Sequence, residues 1–279
     1  DLCILIFKKC ATSYCNLEFL DNEKIRPAAT PERVLAICRL VGYQKYTKEE
    51  INQLCALDKG AKMNDESRRN SFMAAEELGL IELVNGKYIL KISEKDLENP
   101  VTFRRAISPI IFSRINTTFF KFTEWFILNS EVIYSLNKFE DIAAMAAKSG
   151  IDEISENAVL GIRFWLYYLG HAYQYNNTII PNMKVRLEDA LQAIPKGTVM
   201  TNIEFVDWLK ANIPEARAAC TYEKLPLAVS NGLRILNNEN KIELKQKMDA
   251  VKTELYPIAS EKINDFWEIE IKEITDGLA

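Results

Sequence analysis

The stretch LGLIELVNGKYIL, from Leu78 to Leu90, constrains the fold more than any other part of the chain. Two apolar, strand-like runs flank Asn85-Gly86, and a two-residue type I′ turn needs positive φ at both central positions. The stretch therefore predicts a β-hairpin. Whether the hairpin stands alone or is the wing of a winged helix depends on what precedes it in the chain.

Three helical patterns precede the hairpin, and the third is expected to end at Gly79. Helix, short helix, helix and hairpin within residues 30–92 is the order of a winged helix-turn-helix. The predicted start signals are a cap followed by proline, a capping box and a serine cap: Thr30-Pro31, Thr47 with Glu50, and Ser67.

The spacing of the hairpin recurs later in the chain. Leu78-Gly79, five residues and Asn85-Gly86 become Leu169-Gly170, five residues and Asn176-Asn177, in the stretch LGHAYQYNNTIIP. The repeat therefore predicts a second winged helix over residues 117–183. Its three helical patterns are Phe119–Leu128, Phe139–Ala147 and Asn157–Leu169.

A third copy is expected over residues 184–257. Val185–Ile194 has a helical pattern, Thr201 and Glu204 form a capping box, and LAVSNGLRIL follows as the third helix. The runs KIELKQ and VKTELYP are expected to pair as a wing with a longer loop.

The segments outside the three units are given separate expectations. Residues 93–116 are interpreted as a linker helix, and residues 258–279 as a C-terminal helix with apolar residues on one side. Residues 1–29 are given no fold role. The predicted fold class is mainly α with small β-hairpins, in tandem winged helix-turn-helix modules.

In a winged helix the start of the third helix faces the DNA major groove, and the wing contacts the backbone. Arginine suits guanine, asparagine suits adenine, and serine and lysine suit phosphates. A solvated surface, or an edge strand whose lysines deter aggregation, remains an alternative for these residues. The candidates are Ser67, Arg68, Arg69, Asn70 and Lys87 in the first unit, and Ser230, Asn231, Arg234, Lys241 and Lys245 in the third.

Charge limits DNA contact to the outer units. The whole chain carries a formal charge of −4, while residues 30–92 and 184–257 each sum to +1 and residues 117–183 to −3. The third helix of the middle unit is apolar almost all round, which is typical of a helix that is buried or packed on a partner.

No catalytic or cofactor motif is present, and the chain has a single histidine, His171. His171 is expected to be a core or rim histidine, and neither a metal nor a cofactor is expected. Six cysteines without a CxxC pair predict reduced thiols in a cytoplasmic protein, and no apolar run is long enough to span a bilayer. An active site built only of carboxylates stays open.

The patterns TPERVLAICRL, SRRNSFMAAEELGLIELVNGKY and LAVSNGLRILNNENKIELKQKMDAVKTELYP resemble winged-helix proteins of bacterial defence islands. Among these, the chain is most similar to the DpdG-type proteins of 7-deazaguanine DNA-modification islands. The resemblance implies an accessory DNA-binding role without catalytic residues. Three hypotheses follow: a protein that binds double-stranded DNA, a scaffold that binds protein partners in a larger complex, and an enzyme with a carboxylate site.

Overall fold

The computed structural model describes residues 29–54, 65–136, 138–151, 154–175, 178–272 and 274. These residues form eleven α-helices and small antiparallel sheets, which confirms the mainly α fold class with β-hairpins. The expectations for residues 1–28 lie outside the described part of the chain. Within the described part, no helix has the length and apolar character needed to cross a bilayer.

The elements are numbered in chain order. The helices are α1 (Pro31–Tyr43), α2 (Lys48–Leu54), α3 (Asp65–Glu77), α4 (Pro100–Phe112), α5 (Thr118–Leu128), α6 (Ser130–Tyr134), α7 (Phe139–Lys148), α8 (Glu156–Tyr168), α9 (Lys184–Leu191), α10 (Asn202–Asn212) and α11 (Leu227–Asn238). The strands are β1 (Ile81–Val84), β2 (Lys87–Leu90), β3 (Ala172–Tyr175), β4 (Thr178–Pro181), β5 (Val199–Thr201), β6 (Ile242–Lys245), β7 (Thr253–Glu254), β8 (Asp265–Phe266) and β9 (Glu268–Ile271).

The first hairpin forms as the Asn-Gly signal predicts. Strands β1 and β2 pair antiparallel, and the turn has φ of 51° at Asn85 and 77° at Gly86. Gly79 ends α3 in the left-handed region at φ 72°, and the N–H of Leu80 donates to the carbonyl of Ala75. This bond satisfies a carbonyl that the helix end would otherwise leave unpaired.

Of two helix starts predicted in this region, one is confirmed and one is wrong. Thr47 and Glu50 form the predicted capping box at α2, with the N–H of Thr47 donating to Glu50 Oε2 over 2.7 Å. The predicted cap at Ser67 is wrong, because α3 begins at Asp65 and Ser67 lies inside it.

The middle of the chain follows the predicted order of helices. Helices α5, α7 and α8 cover the three expected patterns, and β3 and β4 pair antiparallel. The hydroxyl of Ser155 accepts the N–H of Ala158 and caps α8. The predicted turn at Asn176-Asn177 lies outside the described residues.

The segment expected to be a linker helix does form a helix, α4, which contributes to the core. Asn99 caps it by accepting the N–H groups of Val101 and Thr102. Its apolar face is fully buried, so α4 joins the first and second units in one continuous core. The residues of that face are Phe103, Ile107, Ile111 and Phe112.

The third unit differs from the prediction in its strands. Strand β6 does not pair with the segment containing β7; it pairs with β9, and the sheet has the order β5-β9-β6. Strands β7 and β8 form a separate two-stranded pair inside the connection. The capping box of Thr201 and Glu204 at α10 is as predicted.

The C-terminal helix predicted over 258–279 is wrong for its central part, where residues 265–266 and 268–271 are strands. Ile269 and Ile271 are buried and face Leu244 and Ile242 on β6, while Glu268 and Glu270 are half-buried. This alternation has the period of a strand, although the wider spacing of apolar residues in the segment also fits one side of a helix.

Two hydrophobic cores organise the molecule. One extends from Ala29 to Ile179, and the other comprises residues 183–271 together with Ile127 of α5. The units meet closely: the N–H of Ala228 donates to the hydroxyl of Ser130 over 3.1 Å. A Cβ at Gly232 of α11 would lie 2.8 Å from the backbone nitrogen of Lys184, so only glycine allows the observed packing of α11 on α9.

Candidate functional site

The first unit brings its candidate contacts to the start of α3 and the start of β2. Ser67, Arg68 and Arg69 lie in the first turns of α3, and their side chains are outside the described part of the structure. Asn70 is half-buried, and its Nδ2 forms no hydrogen bond with a described residue. Lys87 is exposed and has no ion pair among the described residues.

Contacts between α2, α3 and β2 bring a second lysine to this region. The Lys48 ammonium lies 5.8 Å from the centre of the Phe72 ring, and Phe72 packs edge-on against Tyr88 at 4.6 Å. The carbonyl of Tyr46, just before α2, accepts the N–H of Tyr88 over 2.9 Å. The N-terminus of α2 therefore lies beside β2, whose first residue is Lys87.

An acidic side chain shares this surface. Hydrogen bonds from Thr47 lower the pKa of the Glu50 carboxyl most, and the charge of Lys87 also lowers it. Any anion bound here would therefore meet the Glu50 carboxylate as well as lysines.

In the third unit, Ser230 and Arg234 are buried, which contradicts their assignment as DNA contacts. The hydroxyl of Ser230 donates to the carbonyl of Leu225 and accepts the N–H of Tyr256. Arg234 donates to the carbonyls of Ile263 and Tyr256. Both side chains hold the long connection between β6 and β9 against α11, and only Asn231 stays half-exposed.

Lys241 and Lys245 are engaged in ion pairs along the sheet. Lys241 contacts Glu188 and Glu239, and Lys245 lies 2.8 Å from Glu268 and 3.0 Å from Glu270. Burial lowers the pKa of Lys241, but its carboxylate partners outweigh that effect and raise the pKa. A phosphate could bind either lysine only by displacing carboxylates that are already in place.

The third helix of the middle unit, α8, is buried on one side and partly exposed on the other. Leu160 and Phe164 are half-buried and Tyr167 is 53% exposed. The Arg163 guanidinium lies over the rings of Phe139 and Phe164 at 5.1 and 4.7 Å. This surface is aromatic with a single stacked cation, unlike a phosphate-binding face.

A buried ion cluster lies where the two cores meet, and nothing in the linear sequence indicates it. His171 Nε2 is 2.9 Å from Glu215 Oε1, and Arg186 Nε donates to the same oxygen over 2.7 Å. Burial lowers the pKa of His171. Burial alone would raise the pKa of Glu215, but Arg186 and His171 hold it at about 2. The cluster is therefore a neutral imidazole donating to a charged carboxylate.

A second ion cluster joins α4 to α9. Arg104 donates to both oxygens of Asp189, at 2.5 and 2.9 Å, and Arg105 Nε donates to Oδ1 over 2.9 Å. Two successive arginines in an otherwise apolar helix are the one sequence feature that could have indicated it. Their partner is 84 residues away or more, which spacing cannot reveal.

Within the described ranges, no three His, Cys, Asp or Glu side chains converge on a position that could hold a metal ion. Cys38 and Cys220 are buried, and burial raises the pKa of both thiols to about 12. These two cysteines are therefore protonated at neutral pH and are suited to packing.

Comparison of the chain with protein-family models, with curated proteins and with solved structures finds no match. The resemblance to winged-helix proteins of defence islands thus stays a prediction from the quoted motifs.

Proposed function

We propose that the chain is a non-enzymatic accessory protein of three tandem winged-helix units, in which the first unit contacts double-stranded DNA. The order of elements supports this: each unit has helices followed by antiparallel strands. In the third unit the sheet order β5-β9-β6 places the strand before the second helix beside the last strand, as in winged helices.

The first unit has a reduced version of the same arrangement. The hydrogen bond from the N–H of Tyr88 to the carbonyl of Tyr46 sets the segment before α2 beside β2. Strand β2 in turn pairs with β1. In the third unit β5 pairs with β9, and β9 pairs with β6. In the first unit the single hydrogen bond between Tyr46 and Tyr88 takes the place of the pairing made by β5.

The observation that carries the DNA proposal is the contrast between the lysines of the two outer units. Lys87 is exposed and has no ion pair among the described residues, whereas Lys241 and Lys245 are held by carboxylates. Lysines bind phosphate through charge, so a lysine already paired contributes less to binding and to its salt dependence. DNA contact is accordingly assigned to Lys87, Lys48 and the start of α3.

The test is a titration of a labelled duplex with the full chain at two salt concentrations. Double reversal Lys48→Glu with Lys87→Glu should abolish binding, and so should Arg68→Glu with Arg69→Glu. Lys247→Glu with Lys252→Glu is the matched reversal in the third unit and should leave binding within about threefold, since it changes net charge equally. Equal losses in both units would show a generic charge effect and overturn the assignment.

A scaffold that binds protein partners without DNA readout is the second candidate, and the burial of α11 favours it. Helix α11 packs on α9, α6 and α5, so its surface is not open to a DNA groove. In this case neither duplex nor single strand binds the wild-type chain even at low salt. A role in a bacterial DNA-modification or restriction system rests on the resemblance alone, and a modifying enzyme or nuclease encoded beside the gene would support it.

A further inference from the structure

A cavity of about 420 Å³ lies between helix α4 and the third unit. Helix α9 and the end of α10 form its other walls, so it opens at the joint between the two cores. Joints between packed units are a common place for small-molecule sites, and this volume is in the range of ligand pockets. The cavity is independent of the surface proposed to contact DNA.

The polar side of the cavity is built around Arg186, whose side chain is only 8% exposed. Its Nε donates to Glu215, and one Nη2 hydrogen points to the carbonyl of Asn212 at 3.4 Å. Its Nη1 forms no hydrogen bond with any described residue. A guanidinium held by a buried carboxylate on one edge thus has donors remaining on another, next to the cavity.

Each arginine of the two ion clusters at this joint donates to a carboxylate: Arg104 and Arg105 to Asp189, and Arg186 to Glu215. His171 adds no charge, because burial lowers its pKa. Because Arg186 keeps donors beside the cavity, its largely buried guanidinium favours a ligand with a negatively charged acceptor.

Apolar side chains form about half of the cavity lining, and Ser108, Ser113 and Asn212 are among the polar residues beside them. The Phe112 ring lies 5.6 Å from the Arg186 guanidinium carbon, with prolines and alanines around it. The apolar lining residues are Pro109, Phe112, Ala190, Ala211 and Pro214. An inorganic anion would leave these walls without contacts, whereas a ring or branched chain would cover them.

We propose that this cavity binds a small organic monoanion, a carboxylate on an aromatic or branched apolar body, with its carboxylate on Arg186. Arginine and carboxylate form paired, charge-assisted hydrogen bonds in which two N–H groups meet two oxygens. Because walls come from α4, α9 and α10, the bound ligand bridges the two cores and stabilises their docking.

The experiment titrates the full chain with 1-naphthoate and, as the uncharged match, with 1-naphthalenemethanol, using calorimetry and thermal unfolding. The carboxylate should bind saturably and raise the Tm, and the alcohol should bind about 10-fold to 100-fold more weakly, because a hydrogen bond to a charged group is lost. Equal binding of the two compounds, or no binding of naphthoate at millimolar concentration by a folded chain, overturns the proposal.

Variants locate the site. Ala211→Trp fills the mouth of the cavity from an exposed position and should weaken naphthoate binding at least tenfold. Ala218→Trp, also exposed but outside the lining, is the matched control and should bind as the wild type does. Unchanged binding in Ala211→Trp places the ligand elsewhere and overturns the proposal.

Discussion

The Nε2 of His171 lies 2.9 Å from Oε1 of Glu215, and both side chains are completely buried. Glu215 also accepts a hydrogen bond from Arg186, so one carboxylate neutralises a buried arginine and orients a buried imidazole. A carboxylate only accepts hydrogen bonds, so the imidazole hydrogen is on Nε2, and Nδ1 has no partner among described residues. The stability of the joint between the cores depends on these protonation states.

Because the chain has a single histidine, a pH dependence of stability caused by histidine titration can be assigned to His171. Burial lowers the pKa of His171 from 6.5, so below pH 6.5 the unfolded chain binds a proton that the folded chain does not. Stability is therefore full above pH 6.5 and falls as the pH drops from about 6.5 to 5, by at most about 1.4 kcal/mol per pH unit. Urea unfolding across this range measures the slope. His171→Gln, which keeps a donor for Glu215, should flatten it, and an unchanged slope would contradict the assignment.

Removing the charge of Glu215 should destabilise the protein strongly. Glu215→Gln leaves Arg186 buried without its counter-charge, which typically costs about 3–5 kcal/mol of unfolding free energy. The midpoint of urea unfolding at pH 7 measures this effect. Glu243→Gln is the matched control, since Glu243 is 49% exposed and pairs with Lys272 on the surface. Similar midpoints for the two variants would mean that the buried charge is not essential.

Local features of the fold could be read from the sequence. The Asn85-Gly86 turn and the capping box at Thr201 depend on residues at most three apart, and their backbone requirements are specific. The pairing of β6 with β9 was not predicted, because it joins segments separated by a long connection and the VKTELYP run, expected to be the partner of β6, lies nearer along the chain.

The candidate site was less predictable than the fold. Arg234 and Lys241 fit a DNA-contact pattern by residue type and by position on the third helix and strand. Their partners, such as Ile263 and Glu188, come from other elements, and tertiary contacts alone decide whether a basic side chain is free. The cluster of His171, Arg186 and Glu215 also depends on tertiary contacts, because Glu215 is 29 residues from Arg186 and 44 from His171 along the chain.

Arg234 should hold the connection between β6 and β9, and replacing it should loosen that connection without changing DNA binding. Arg234→Lys keeps the charge but cannot donate at once to the carbonyls of Ile263 and Tyr256 and to Asn264 Oδ1. Amides of residues 246–267 should then exchange with deuterium faster than in the wild type, while duplex affinity stays the same. Asn238→Ala, exposed on the same helix, is the control. A lysine variant with weaker duplex binding and an unchanged connection would restore Arg234 as a DNA contact.

The close approach of α11 and α9 should make Gly232 intolerant of even a methyl group. In Gly232→Ala the new Cβ would lie 2.8 Å from the Lys184 nitrogen and from Leu187 Cδ1, and the backbone atom cannot give way without moving α9. Overpacking of this kind costs about 1–3 kcal/mol of unfolding free energy.

Gly42→Ala in α1 is the matched test, because its Cβ would meet only the side-chain ends of Leu90 and Leu97, at 3.3 and 3.5 Å. Those ends can shift, and alanine favours helix over glycine by up to about 1 kcal/mol, so this variant should be nearly neutral or slightly more stable. Thermal unfolding of the two variants measures the difference. If Gly232→Ala is as stable as Gly42→Ala, α11 does not pack on α9 as closely as described. The position of α9, and with it the shape of the cavity between α4 and α9, would then differ too.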